Sequence, residues 1–492
     1  MNNKRAIYLL VVFGVMFLTL IGYLTYIEIF YAKEYTESIY NPRNYELDRK
    51  IVRGSIYDVN GVELAYSEKV TENKTEIIDG IEQSQTIEKI ERRYPYNELY
   101  SHLIGYVSSD YSNRTMIEQA YNAELLESGI MSKITDELQY GEKRGKDVYL
   151  TIDHNIQKIA SDAMGNYDGS VVALNPKTGE IIAMVSKPGF NPNPSEVNID
   201  ELEDGALYSR AIQIPYPPGS TYKILTSVAM LENGMADEVY NDTNGRFTIK
   251  SSDGNPKNDY VCRNAGGSVY GQTSLESGFT KSSNVYFAYA GSVMDTSVLQ
   301  ETAEKFLFNK DINKELGFDL PIANSHFQTG KMTPAEKAMA SIGQGETEAT
   351  PLHIALVGAT IANNGIMPRP YLVSKVGIDS KIPLTNPGKE IISPETAQKI
   401  KDMMAEVVKS GTGTAALING VTVCGKTGTS ENSVTAKGGK DSGKTHAMFV
   451  GFAPYDDPEI VVCVVMEYAG YGGSKAAPVA KKVIESYLFS NQ

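Results

Sequence analysis

Tyr216-Pro217-Pro218-Gly219-Ser220-Thr221-Tyr222-Lys223 sets two prolines and a glycine ahead of a serine, with a lysine three residues further on. Regular structure stops at the Pro-Pro-Gly. The run that follows, to Glu232, carries Ile224, Leu225, Val228, Ala229 and Leu231 among helix formers. This pattern predicts a helix opening at or near Ser220. Residues i and i+3 share a helix face, which puts Lys223 beside Ser220. An amine held there, away from water, loses its proton near neutral pH and can take the serine's hydroxyl proton. The free N–H groups of a helix N-terminus suit a developing oxyanion. The plainer reading of the same residues is an N-cap serine and a surface lysine.

Two further polar motifs follow in order. Ser282-Ser283-Asn284 lies between Gly278-Phe279-Thr280-Lys281 and the apolar run Val285-Tyr286-Phe287-Ala288. It reads as a loop between helices that offers a hydroxyl and an amide, or as an ordinary helix cap. Lys426-Thr427-Gly428-Thr429 follows the β-branched Val421-Thr422-Val423 and reads as a strand. Gly425 and Gly428 leave room there for another backbone to approach; the alternative is a lysine at the end of a strand. Each motif alone supports its bland reading. The ordered set supports a site in which a serine is acylated.

The triplet S-x-x-K, S-x-N and K-T-G marks serine β-lactamases and penicillin-binding proteins. The chain resembles the class B, monofunctional penicillin-binding proteins in particular, with Ser283 at the middle position of the second motif, where the S-D-N form has Asp. The resemblance extends over nearly the whole chain. It includes Arg53-Gly54-Ser55-Ile56-Tyr57-Asp58, Asn60-Gly61, Arg93-Tyr94-Pro95-Tyr96, His102 to Val107 and Ile117-Glu118-Gln119-Ala120-Tyr121. It continues through Leu150-Thr151-Ile152-Asp153, Gly343-Gln344-Gly345-Glu346, Gly411-Thr412-Gly413-Thr414-Ala415 and Phe449 to Pro454.

At 492 residues the chain is too long for one ordinary core. The net charge of −14 argues against a nucleic-acid partner. Cys262, Cys424 and Cys463 form no close pair and read as core residues. The five histidines show no ligand spacing, so neither a catalytic metal nor a cofactor is expected. Ala6 to Ile27 carry no charge. At about 1.5 Å per residue such a helix spans roughly 33 Å, enough for a bilayer core. No small-residue cleavage site is evident, so the segment reads as an uncleaved anchor. Lys4-Arg5 ahead of it favour a cytoplasmic N-terminus and an extracellular catalytic domain on a single-pass cell-membrane protein.

The expected division is a cytoplasmic tail at 1–5, an anchor at 6–27, an N-terminal pedestal or dimerisation domain at 28–148 and a transpeptidase domain at 149–492. The pedestal is polar, with strand signals near Ile51–Tyr57 and Glu63–Ala65, and Glu137 to Asp147 reads as a junction. Arg53, Asp58 and Glu118 read as structural ion-pair or turn residues. Beyond it, Gly169–Asn175 with Glu180–Ser186, and His446–Ala453 with Glu459–Glu467, read as strand pairs, and Ala476–Leu488 as an amphipathic helix. Strands at both ends with helices between give an α+β fold. The resemblance implies the same: an antiparallel five-stranded sheet flanked by helices, of the serine β-lactamase-like transpeptidase type, on an elongated, mostly β pedestal. Lys426-Thr427-Gly428 would then lie on an edge strand, along which a peptide can add as a further strand.

The resemblance implies a peptidoglycan D,D-transpeptidase that binds stem peptides ending in D-Ala-D-Ala and is trapped by β-lactams. Ser220 is then the nucleophile, Lys223 its base, and Ser282 the relay to the leaving D-alanine. Asn284 holds the substrate amide and Lys223. Lys426 supplies positive charge, and Thr427, Gly428 and Thr429 bind substrate. The backbone N–H groups of Ser220 and Thr429 form the oxyanion hole. A membrane-anchored β-lactamase needs a deacylating glutamate, and no E-x-x-L-N segment is present. A β-lactam sensor needs more membrane helices or a signalling domain, and a D,D-carboxypeptidase does not call for the pedestal motifs. The build is that of a short class B protein without C-terminal wall-binding modules. With no second catalytic block, glycan polymerisation is expected to fall to a separate membrane glycosyltransferase of the SEDS family.

Overall fold

The computed structural model describes residues 3–31, 51–78, 81–108, 113–126, 144–193, 202, 205–251, 253–381, 388–430 and 445–489. The expected junction from Glu137 lies outside the described residues up to 143.

Helix α1 (Asn3–Phe30) includes Ile7–Phe30, which is long and apolar enough to cross a membrane and is not buried against the rest of the chain. Past it, β1 (Ile56–Tyr57) pairs antiparallel with β2 (Glu63–Ile78), and β2 pairs along its length with β3 (Ile81–Arg93). Of this long hairpin the sequence signals only the start of β2, Glu63–Ala65. Its strands are polar, with no apolar alternation to mark a buried face. The available signal was Asp79-Gly80, a two-residue turn pair between β2 and β3.

The N-terminal sheet does not end where the expected domain boundary falls. Strand β4 (Val148–Leu150) straddles that boundary and pairs parallel with β1. Far along the chain, β7 (Val373–Val376) and β8 (Asp379–Ser380) complete a six-stranded sheet in the order β8-β7-β4-β1-β2-β3. The two parts of the body are therefore joined by main-chain ladders. Beneath this sheet Glu118, fully buried, takes Arg53 Nε at 2.6 Å and Arg92 Nε at 2.7 Å. Burial alone would raise the Glu118 carboxyl; the two arginines overcome that and hold it below its usual range. Asp58 accepts from Asn60 N and Val62 N and so closes the β1–β2 turn.

The central sheet is built from β5 (Gly169–Leu174), β6 (Ile181–Lys187), β9 (Cys424–Ser430), β10 (His446–Ala453) and β11 (Ile460–Met466). All neighbours are antiparallel, in the order β9-β10-β11-β5-β6. Successive side chains of a strand point to opposite faces. In β11, Ile460, Val462, Val464 and Met466 enter one core and Val461, Cys463 and Val465 the other. Helices α2 (His154–Met164) and α8 (Gly472–Phe489) cover the first face. Helices α6 (Pro351–Ala362) and α7 (Pro394–Lys409) cover the second. With both faces buried, the inner strands are apolar along most of their length, and β9 is the polar exception. That edge strand carries Lys426, Thr427 and Thr429, and the lobe holding the serine packs beside it.

Candidate active site

Pro218 precedes a tight 3₁₀ turn, Gly219–Tyr222, and the α-helix proper, α3 (Lys223–Glu232), begins at the lysine. Ser220 therefore sits on that turn, one step ahead of the expected helix. The turn is pinned at both ends. Gly219 N donates to Gly343 O at 2.9 Å, and Thr221 Oγ1 to Pro218 O at 2.7 Å. Gly219 has φ of +53°, and a Cβ there would stand 2.6 Å from Thr429 O, so only glycine allows this approach to β9. Gly428 answers from the strand: a Cβ on it would meet Thr221 Cγ2 and Pro218 O. The serine turn and the K-T-G strand are thus in backbone contact. Ser220 is partly exposed, and its hydroxyl has no hydrogen-bond partner among the described residues.

The second motif occupies the break between α4 (Leu275–Thr280) and α5 (Asn284–Val293). Ser282 takes a left-handed φ of +55°, and its oxygens turn toward both lysines. Lys223 Nζ donates to Ser282 O at 2.8 Å and to Asn284 Oδ1 at 2.7 Å, and lies 3.4 Å from Ser282 Oγ. Lys426 Nζ donates to the same Oγ at 2.8 Å and to Thr427 O at 3.2 Å. Ser283 is the N-cap of α5, accepting from Tyr286 N. For that residue the bland reading of the sequence holds.

Both lysine side chains are fully buried. Lys223 Nζ lies over the Phe287 ring and Lys426 Nζ over the Phe279 ring, each 5.5 Å from the centroid. Burial, then the charge of Lys426, drives Lys223 well below the ordinary lysine range. Burial brings Lys426 down to about 7. The arrangement can hold a neutral amine beside the serine turn and a cation on the strand side. Among the described residues no group of His, Cys, Asp or Glu is placed to hold a metal ion.

The sequence assigns no role to three supporting residues. Asn264 accepts from Ser283 Oγ and Val285 N, each at 3.1 Å, and donates to Asp242 Oδ2 at 2.8 Å. Asp242 in turn accepts from Gly245 N at 2.6 Å. Thr412 Oγ1 lies 2.6 Å from Thr427 Oγ1. Thr429 Oγ1 accepts from Gly472 N at 3.4 Å. Asn264 and Asp242 stand apart from the motif they hold, and no local spacing announces them.

The chain matches the family described as penicillin binding protein transpeptidase domain over residues 169–485, and the penicillin binding protein A dimerisation domain over residues 53–148. It is 34% identical over 438 residues to the peptidoglycan D,D-transpeptidase PbpA of Mycolicibacterium smegmatis, covering 81% of this chain and 84% of that protein. The crystal structure of PBPA from Mycobacterium tuberculosis is similar, with a TM-score of 0.75, 30% identity, and coverage of 89% of this chain and 99% of that one. The penicillin G acyl-enzyme complex of penicillin-binding protein A from M. tuberculosis aligns with a TM-score of 0.74 at 30% identity, covering 89% and 100%.

The Asn264 contacts generate a prediction. Asn264→Ala should lower the acylation rate constant with a β-lactam by about 10- to 100-fold, the size expected for misplaced groups. Its non-covalent affinity should change little. Stopped-flow acylation at varied β-lactam concentration separates the two, and a loss confined to affinity would contradict a positioning role.

Proposed function

The chain belongs to the penicillin-binding protein transpeptidases, and from that premise we propose how its cleft carries out peptidoglycan D,D-transpeptidation. The reading rests on one observation above others: two buried lysines meet at Ser282 Oγ, beside the turn that carries Ser220.

The donor stem peptide, ending in D-Ala-D-Ala, lies along the outer edge of β9, which pairs with β10 alone among the described residues. Lys426 draws in its terminal carboxylate, with Thr427 and Thr429 as hydroxyl contacts beside Gly428. Neutral Lys223 takes the proton of Ser220 as Oγ attacks the carbonyl carbon of the penultimate D-alanine. The oxyanion is held by the N–H groups of Ser220 and Thr429. Collapse breaks the peptide bond. Ser282 passes a proton to the departing D-alanine amine, and Asn284 holds both Lys223 and the substrate amide. An amine of a second stem peptide then attacks the ester, forms the cross-link and releases Ser220. A β-lactam enters as the donor does, and its opened ring leaves no departing fragment, so the ester persists.

The rest of the chain is proposed to deliver this cleft to the wall. Residues 6–27 anchor it with residues 1–5 in the cytoplasm, a sense supported by Lys4-Arg5. Residues 28–148 form the pedestal, and 149–492 the transpeptidase domain. A separate SEDS-family glycosyltransferase, held through anchor and pedestal, makes the glycan. Co-purification of such an enzyme that survives deletion of both segments would count against that partnership.

Treating the detergent-solubilised chain with a fluorescent penicillin tests the reaction. The wild type should take up one label per chain and keep it for many minutes, and Ser220→Ala should take up none. Label retained by Ser220→Ala would move the nucleophile elsewhere, and label lost within seconds would make the protein a hydrolase.

A further inference from the structure

Arg246 and Arg263 face each other across a two-stranded hairpin, Arg246–Ile249 with Tyr260–Arg263, that has no part in the reaction as set out above. Successive residues of a strand turn to opposite faces. Phe247 and Cys262, the next pair in register, turn inward and pack on the core. Arg246 and Arg263 therefore share the outer face, and both are exposed. Residues directly opposite in an antiparallel pair stand about 5 Å apart at Cβ, and like charges placed so weaken the pairing.

Nothing in the chain offsets that repulsion. Among the described residues neither guanidinium has a hydrogen bond or an ion pair, although the sequence holds 60 acidic residues against 46 basic ones. Asp242, close by in sequence, is taken up by Gly245 N, Tyr270 N and Asn264 Nδ2. The hairpin also touches the cleft. Arg263 O accepts from Asn284 Nδ2 at 3.1 Å, and Asn284 Oδ1 accepts from Lys223 Nζ at 2.7 Å. Asn264, the next residue, is bonded to Ser283 and Val285. The arginine pair is thus fixed to the wall that carries Ser282-Ser283-Asn284. Lys281, just before that motif, adds a cation to the same wall, with its Nζ 5.3 Å from the centroid of the Tyr270 ring.

We propose that Arg246 and Arg263 form a subsite for a carboxylate carried on the acyl side of the donor, upstream of the bond that is broken. The inference rests on the reading of Asn284 as the contact for the substrate amide, since the chain that leads away from that amide passes the arginine pair. A carboxylate is acceptor-only, and its two oxygens match the fork of N–H donors on each guanidinium. Once bound, it replaces the mutual repulsion of the arginines by attraction to a shared anion.

The test uses the full chain in detergent and follows the second-order acylation rate by mass. The probes are benzylpenicillin and carbenicillin, which differ by one carboxylate on the acyl side chain. Loss of hydrogen bonds between charged groups predicts that Arg246→Gln and Arg263→Gln each acylate about tenfold more slowly with carbenicillin. The rate with benzylpenicillin should be unchanged. Lys257→Gln removes a positive charge from the turn of the same hairpin and should change neither rate. Both penicillins slowed alike, no change with carbenicillin, or an equal loss in Lys257→Gln would overturn the subsite. Each arginine variant should also melt no lower than the wild type, because one of two opposed charges is gone. A lower Tm would assign the arginines to the fold and not to a ligand. A wild type acylated by neither penicillin would remove the transpeptidase reading, and the subsite with it.

Discussion

Lys223 and Lys426 reach one hydroxyl, Ser282 Oγ, from opposite sides, and neither has any exposed surface. Their Nζ atoms are thus no more than about 6 Å apart, where two charges repel by about 3 kcal/mol at an effective dielectric near 20. Adding the loss of water, two ammonium groups are too costly, and one gives up its proton. Lys223 is that one, pressed by burial and by Lys426 together. In the proposed reaction the neutral amine is the base for Ser220, and the remaining cation is the anchor for a carboxylate. Much of the surrounding structure follows from keeping these two groups dry and apart.

Apolar packing does the first part. Phe279 and Phe287 lie under the amines and are themselves fully buried. Polar contacts do the second. Asn284 Oδ1 and Ser282 O occupy Lys223, and the Asp242–Asn264–Ser283 chain fixes the loop from which they come. The sheet supplies the rest: β9 is an edge strand whose neighbour β10 is buried on both faces, so Lys426 rides on a rigid support. The strands β7 and β8 join the N-terminal sheet from far along the chain, so that sheet is tied by backbone bonds to the part that carries the two lysines.

Unbroken apolar runs announced the central sheet because each of its inner strands packs a core on both faces; Ile460 to Met466 is the clearest case. The β2–β3 hairpin gave no such signal, since its sequence is mostly polar and only Asp79-Gly80 hinted at a turn. The three motifs were legible as local spacings, and Ser283 showed that one member is a helix cap. What the spacing could not show was the direction in which Lys223 points. A lysine at i+3 was expected beside the serine, yet its amine is bonded to Ser282 and Asn284 across the cleft. Nor could it show Asn264 and Thr412, whose importance depends on contacts 15 or more residues away in sequence.

The dependence of β-lactam acylation on pH tests the neutral-base account most directly. The second-order rate constant reports ionisations of the free enzyme. It should rise from acid pH as Lys223 loses its proton, at a pH well below the ordinary lysine range, and fall again on an alkaline limb near 7 as Lys426 loses its charge. Lys426→Arg, with a permanent charge, should lose that alkaline limb. A rate that climbs without a break to about pH 10, the ordinary lysine value, would mean that both amines stay charged through neutrality, and would contradict the account.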